Sequence, residues 1–124
     1  MDVVYFPDDP RPPRWMSPVL ALGNFDGLHR GHQKIVERIR RSAADRGATA
    51  LVLTFDPHPP RVVRPDKAPP LLMTMPQKVA ALEKAGLYGV AVVRFTEAFS
   101  RLSPEQFVRQ VLVDWLRVSE VWVG

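Results

Sequence analysis

Cysteine is absent from all 124 residues, so disulfides, thiolate zinc sites and cysteine-held iron–sulfur clusters are excluded. Any metal must then sit on oxygen or imidazole ligands, a set that suits the hard cation Mg²⁺. Long apolar runs are missing as well: nothing approaches the roughly 18 consecutive apolar residues of a membrane span. The stretch from Met1 to Pro13 is acidic and proline-rich where a secretory signal is basic and then apolar. These absences set the expectation of a cytoplasmic chain with no membrane partner. A basic stripe interleaved with aromatic residues, in the manner of a nucleic-acid platform, is also lacking. No nucleic-acid partner is therefore expected, and the net charge of +4 is read as favouring a phosphate ligand. Arg38, Arg40 and Arg41 crowd one helix and read as a solvated face.

What the chain does contain is the composition of one globular domain, 46% hydrophobic and 24% charged. Pro7, Pro10, Pro12, Pro13 and Pro18 fix φ and remove amide donors, so residues 1–17 are expected to form an irregular N-terminal segment. Val19-Leu20-Ala21-Leu22, ending at Gly23, reads as the first core strand, buried on both faces. From His32 the period changes: Ile35, Ile39 and Ala43 recur every four residues, Glu37 can pair with Arg41, and Gly47 supplies a stop. Ala50 to Phe55 reads as a second buried strand. A proline-rich stretch from Pro57 to about Thr74 is expected to be without regular structure and, at that length, functional or disordered.

A second helix is predicted to begin between Thr74 and Pro76 and to stop at Gly86, and Gly89 to Phe95 is a third apolar strand. Ser103-Pro104-Glu105-Gln106 carries the N-cap, proline and glutamine of a capping box, opening a helix whose buried face is Phe107, Val111 and Leu112. Glu120 to Gly124 reads as a fourth strand. The order β-α-β-α-β-α-β, with crossovers long enough for parallel pairing, implies an α/β fold, a Rossmann-like doubly wound parallel sheet. In such sheets ligands bind beyond the carboxyl ends of strands, where the strand order reverses.

The turn after the first core strand is Gly23-Asn24-Phe25-Asp26-Gly27-Leu28-His29-Arg30-Gly31-His32, running straight into a helix. Gly27 and Gly31 can take positive φ or admit a ligand close to the backbone, and the amides of the helix start point into the crevice. His29 and His32 stand three apart, so across one helical turn both rings can face one anion and stabilise charge that grows on a phosphate in transfer. Other readings compete. Asp-Gly is a common hairpin turn, but the residues after Gly27 are helical in period. A zinc site would need a third ligand from Asp26 or His58. A purely structural pair of histidines must explain two polar rings at the mouth of a sheet.

The segment from Gly23 to His32 resembles the HxGH signature of the nucleotidyltransferase superfamily, in the form used by bacterial FAD synthetases, the bifunctional riboflavin kinase/FMN adenylyltransferases. Thr54-Phe55-Asp56-Pro57-His58-Pro59 is similar to that family's second-strand motif, and Leu72 to Gly86 and Phe95 to Gly124 also read like its N-terminal domain. The resemblance implies transfer of AMP from ATP to the phosphate of FMN, giving FAD and pyrophosphate, with Mg²⁺. It assigns His29 and His32 to the ATP phosphates as catalytic residues, and Gly23, Asn24, Phe25, Asp26 and Gly31 to the nucleotide pocket. Thr54, Asp56 and His58 fall to the flavin side, and no metal ligand is assigned.

Two departures accompany the resemblance. The family often carries an aromatic a few residues past the second motif, where this chain has Val63. It also continues beyond the glycine equivalent to Gly124 with a glycine loop, a serine/threonine motif and a riboflavin kinase domain, so residues 18–124 read as an incomplete adenylyltransferase domain. If the fourth strand lies beside the first on the side opposite the second, apolar surface around Val121 and Val123 is expected to be exposed. The rivals are another HxGH enzyme acting on an acceptor such as phosphopantetheine, and a nucleotide- or flavin-binding module without turnover. Lys78 reads as a solvated helix residue, Trp115 and Trp122 as buried ones. The sequence leaves the oligomeric state open.

Overall fold

Strand-forming runs in this chain are almost unbroken apolar stretches, the pattern of strands covered on both faces, and they assemble into one parallel sheet. In the computed structural model, which describes residues 1–28, 30–57, 59–68 and 70–123, the strands are β1 (Asp2–Phe6), β2 (Val19–Leu22), β3 (Ala50–Asp56), β4 (Gly89–Arg94) and β5 (Glu120–Val123). Their order across the sheet is β1-β4-β3-β2-β5, and each neighbouring pair is parallel. β2 is flanked by β3 on one side and β5 on the other, in registers such as Ala21 opposite Val52 and Trp122. The chain therefore winds outward through β3 and β4 and returns to the far side of β2, so the order reverses at β2 and the crevice opens at its carboxyl end. The four expected strands and the doubly wound parallel sheet are all present.

The helices are α1 (Arg30–Arg46), α2 (Pro59–Val63), α3 (Met75–Lys84), α4 (Glu97–Ser100) and α5 (Pro104–Phe107), the last continued by a π-helical segment from Val108 to Trp115. One face of the sheet packs on α1 and α3 through Val19, Ala21, Val36, Ile39, Val52 and Leu82. The other packs on the Val108–Trp115 segment through Leu20, Leu51, Leu53, Val93, Val111 and Leu116. Alternation along each strand divides the side chains between these two layers.

The N-terminal expectation is corrected. Residues 1–17 are not irregular throughout, because Val3, Val4, Tyr5 and Phe6 belong to β1, an edge strand paired to β4. The link after β1 is anchored by Trp15, 1% exposed, whose indole lies over Gly89 so closely that a Cβ there would meet the ring at 2.4 Å. That approach demands glycine at the start of β4. The proline-rich stretch is likewise not wholly irregular, since Pro59–Val63 forms the short α2; prolines at a helix start forfeit amides that would be unpaired there anyway. Trp115 is half-buried, but Trp122 is 36% exposed at the edge strand, its ring beneath Arg38 at 5.5 Å, rather than buried. Val121 and Val123 are exposed on β5, as the topology requires.

Candidate functional site

The β2–α1 turn is the centre of the crevice, and its backbone is unusual. Phe25 and Leu28, neither of them glycine, take φ of 53° and 40°, and Gly27 takes 85°. Such conformations are costly for side chains with a Cβ and persist only where the surroundings enforce them. Here the ring of Phe25 is fully buried in the core, and Gly23 donates its amide to the Leu53 carbonyl at 3.1 Å. Gly27 has a second reason to be glycine: a Cβ there would meet Leu72 Cδ1 at 2.8 Å.

Asp26 explains why Leu72 lies so near. Its carboxylate accepts the backbone amides of Leu72 and Met73, each at 2.8 Å, and so ties the turn to the strand of chain that enters α3. That helix starts with a complete capping box: Thr74 accepts from the Gln77 amide and Gln77 accepts from the Thr74 amide. The predicted cap residue and the predicted stop near Gly86 both hold, with Gly86 at positive φ.

His32 stands in the first turn of α1, half-buried, its ring centroid 4.7 Å from that of Phe25 and tilted by 49°. Its Nδ1 is shielded from solvent. No acidic residue occupies the first turn of α1, a 17-residue helix whose dipole puts its positive end at this turn. Gly31 lies inside α1 and has an ordinary helical conformation, which removes positive φ as the reason for glycine there. His29 and His58, both candidate site residues by sequence, lie outside the described residues, as does Gly124.

Thr54 is fully buried, and its hydroxyl donates to the backbone carbonyl of Asn24 at 3.0 Å. Its part in the site therefore runs through the β2–α1 turn. Asp56, at the carboxyl end of β3, is exposed. The side-chain Oδ1 of Asn24 is buried with no hydrogen-bond partner among the described residues.

Lys78, which its residue type predicts at the surface, is instead 6% exposed. Its ammonium donates to the Asn24 carbonyl at 2.6 Å and reaches Thr54 Oγ1 at 3.5 Å. Burial pushes it below the ordinary lysine range, while the carboxylates of Asp26 and Asp56 act in the opposite sense. The signal available in the sequence is spacing: Lys78 precedes the fully buried Leu82 by four residues and so shares its core-facing stripe.

On the opposite face, the carboxyl ends of the same strands open onto an aromatic recess of about 280 Å³, lined by Leu22, Phe55, Phe95, Phe99 and Phe107 among others. Phe55 and Phe95 meet edge to face at 5.7 Å, and Phe99 meets Phe107 at 6.0 Å in the same manner. Phe107, a core residue by its helical spacing, is half-buried and forms part of this wall. Among the described residues no cluster of three or more histidines and carboxylates is placed to hold a metal ion.

Residues 12–124 match the family described as FAD synthetase. The bifunctional riboflavin kinase/FMN adenylyltransferase of Bacillus subtilis (strain 168) is 43% identical over 107 residues, 86% of this chain and 34% of that protein. The protein of the same name from Escherichia coli (strain K12) is 36% identical over 106 residues, again 86% of this chain and 34% of the relative. The chain thus spans about a third of the length of these curated relatives. A crystal structure described as a macrolide-efflux protein from Streptococcus pneumoniae superposes with a TM-score of 0.80 over 100% of this chain and 41% of that one. Its 20% identity makes it a likeness of fold alone. With the family match running from residue 12 to residue 124 over this parallel sheet and its glycine- and histidine-bearing first turn, the chain belongs to the FAD synthetase family.

Proposed function

We propose that this chain carries the adenylyltransferase half of the activities its relatives are named for, transferring AMP from ATP to FMN. A phosphate oxygen of FMN attacks the α-phosphorus of ATP, the bond from that phosphorus to the β-phosphate bridging oxygen breaks, and FAD and pyrophosphate leave. The observation that carries the reading is the β2–α1 turn itself, which presents His32 and a long helix start free of acidic residues at the one place where the strand order reverses. FMN already holds a nucleophilic oxygen, so the protein needs no covalent intermediate and works by positioning and charge stabilisation.

In this reading His29 and His32 face the ATP phosphates, and Gly23, Asn24, Phe25, Asp26 and Gly31 shape the nucleotide pocket. Asp56 and His58 border the flavin side, and Thr54 supports the pocket from within. The aromatic recess built on Phe55 supports an isoalloxazine ring as its occupant, since a flat apolar ring system gains most against aromatic edges and faces. Mg²⁺ belongs to the same proposal as a cation that the ATP phosphates would hold, and Asp56, exposed at the end of β3, could offer it a carboxylate oxygen. It supplies neutralisation of charge on the phosphates when bound. The cytoplasm is the proposed place of the reaction.

The test is to incubate the purified protein with ATP, FMN and Mg²⁺ and to separate the products by chromatography. FAD and pyrophosphate in equal amounts are expected. ATP binding without FAD formation, in a protein extended to the length of its relatives, would overturn the assignment.

A further inference from the structure

Burying a lysine is costly, and the fold does not need this one to satisfy its neighbours. The Asn24 carbonyl already accepts the Thr54 hydroxyl at 3.0 Å, and Thr54 is anchored in β3 by the sheet. The ammonium of Lys78 is a second donor to the same oxygen, at 2.6 Å and nearly removed from water. The local structure brings it there in steps: the Asp26 carboxylate draws Leu72 and Met73 against the turn, the Thr74 capping box starts α3 immediately afterwards, and Lys78 comes in the first turn of that helix. The Asn24 carbonyl is thereby held by a positive charge carried on α3.

We propose that Lys78 is a positioning residue for the nucleotide: its buried ammonium holds the Asn24 carbonyl, fixes the Asn24–Gly27 turn in its ligand-binding shape, and places a fixed positive charge beneath the phosphates. This rests on the nucleotide reading above. A charged hydrogen bond that the fold could forgo, in a site that binds a polyanion, is stability exchanged for function. Because the unfolded chain holds the lysine proton more tightly than the folded one, stability increases as pH rises from the lowered folded value toward 10.5. An uncharged side chain of similar length should therefore leave the fold at least as stable, which separates positioning from mere structure.

The experiment measures ATP affinity by titration calorimetry and the thermal midpoint for the parent and for Lys78→Met. The variant is expected to stay folded with an unchanged or raised midpoint and to bind ATP roughly tenfold more weakly or worse, the scale of one charged hydrogen bond. The parent's ATP affinity should also decline as pH rises toward the ordinary lysine range, with Asp26 on the turn and Asp56 on β3 as the charges facing the ammonium, and that decline should vanish in Lys78→Met. An unfolded variant, or a folded one that binds ATP as the parent does, overturns the role of Lys78 alone; the parent's pH profile tests it without any variant. A parent that binds no ATP overturns the nucleotide reading and this inference together.

Discussion

The two faces of the sheet meet the same crevice in opposite ways. On the α1–α3 face, the carboxyl ends of β2 and β3 are closed by polar ties: Thr54 and Lys78 to Asn24, Asp26 to Leu72 and Met73. On the other face, the same strand ends give onto aromatic rings that meet edge to face and leave a half-open recess. The division originates in one step along β3. Thr54 and Phe55 are adjacent, and the alternation of a strand sends them to opposite sides. A polar, rigid surface is what a phosphate chain needs, because preorganised dipoles do not have to reorient as charge moves. An apolar recess is what a flat ring needs, because its gain comes from area removed from water.

The comparison is broken most severely at the polar face. His32→Ala, in a protein extended to the length of its relatives, is expected to lower adenylyl transfer by about a hundredfold, the scale for one lost transition-state donor. FMN and ATP affinities should change much less. Steady-state kinetics that show kcat nearly unchanged would remove His32 from the chemistry. At the aromatic face the expected effect is smaller and falls on binding: Phe99→Ala and Phe107→Ala should each weaken FMN by about tenfold while leaving ATP affinity alone. Quenching of flavin fluorescence on titration reads the first quantity and calorimetry the second. Equal losses for both ligands would mean that the two faces are not separate sites.

How far this arrangement is legible in the sequence depends on the kind of signal. The core strands at Val19, Ala50 and Gly89 announce themselves because strands buried on both faces are uninterrupted apolar runs, and the capping residues Thr74 and Ser103 because cap chemistry is local. β1 escapes notice although Val3-Val4-Tyr5-Phe6 is itself a β-prone apolar run, because the prolines that follow dominate the reading of the segment. The candidate residues of the first turn follow from its glycines and histidines, but Lys78 is hidden by its residue type: a lysine is read as a surface residue unless its spacing from Leu82 is given more weight. The recess is hidden for a different reason. Phe55 comes from β3, Phe95 from the turn after β4, Phe99 from α4 and Phe107 from α5, and the parallel pairing of β3 with β4 is what brings the first of them to the others.

The smallest expected effects give the sharpest comparison, because both faces use the same local device. α3 on the polar face starts at Thr74, and α5 on the aromatic face starts at Ser103; each cap accepts the amide of a glutamine three residues on, and that glutamine returns a bond to the cap's own amide. Each helix also has proline in its first turn. Thr74→Ala and Ser103→Ala remove the same kind of bond and should each cost about 1 kcal/mol of stability, measured by urea unfolding. Their effects on ligands should nevertheless diverge. Thr74 comes directly after the two amides that hold Asp26 and precedes Lys78 by four residues, so loosening it relaxes the grip on the Asn24–Gly27 turn and weakens ATP. Ser103 lines the aromatic recess itself and sits one turn before Phe107, so loosening it disturbs the flavin side and weakens FMN. Two variants of equal stability with crossed ligand defects are the expected result. If instead both ligands weaken in proportion to lost stability, the caps matter to the fold alone and the functional separation of the two faces fails.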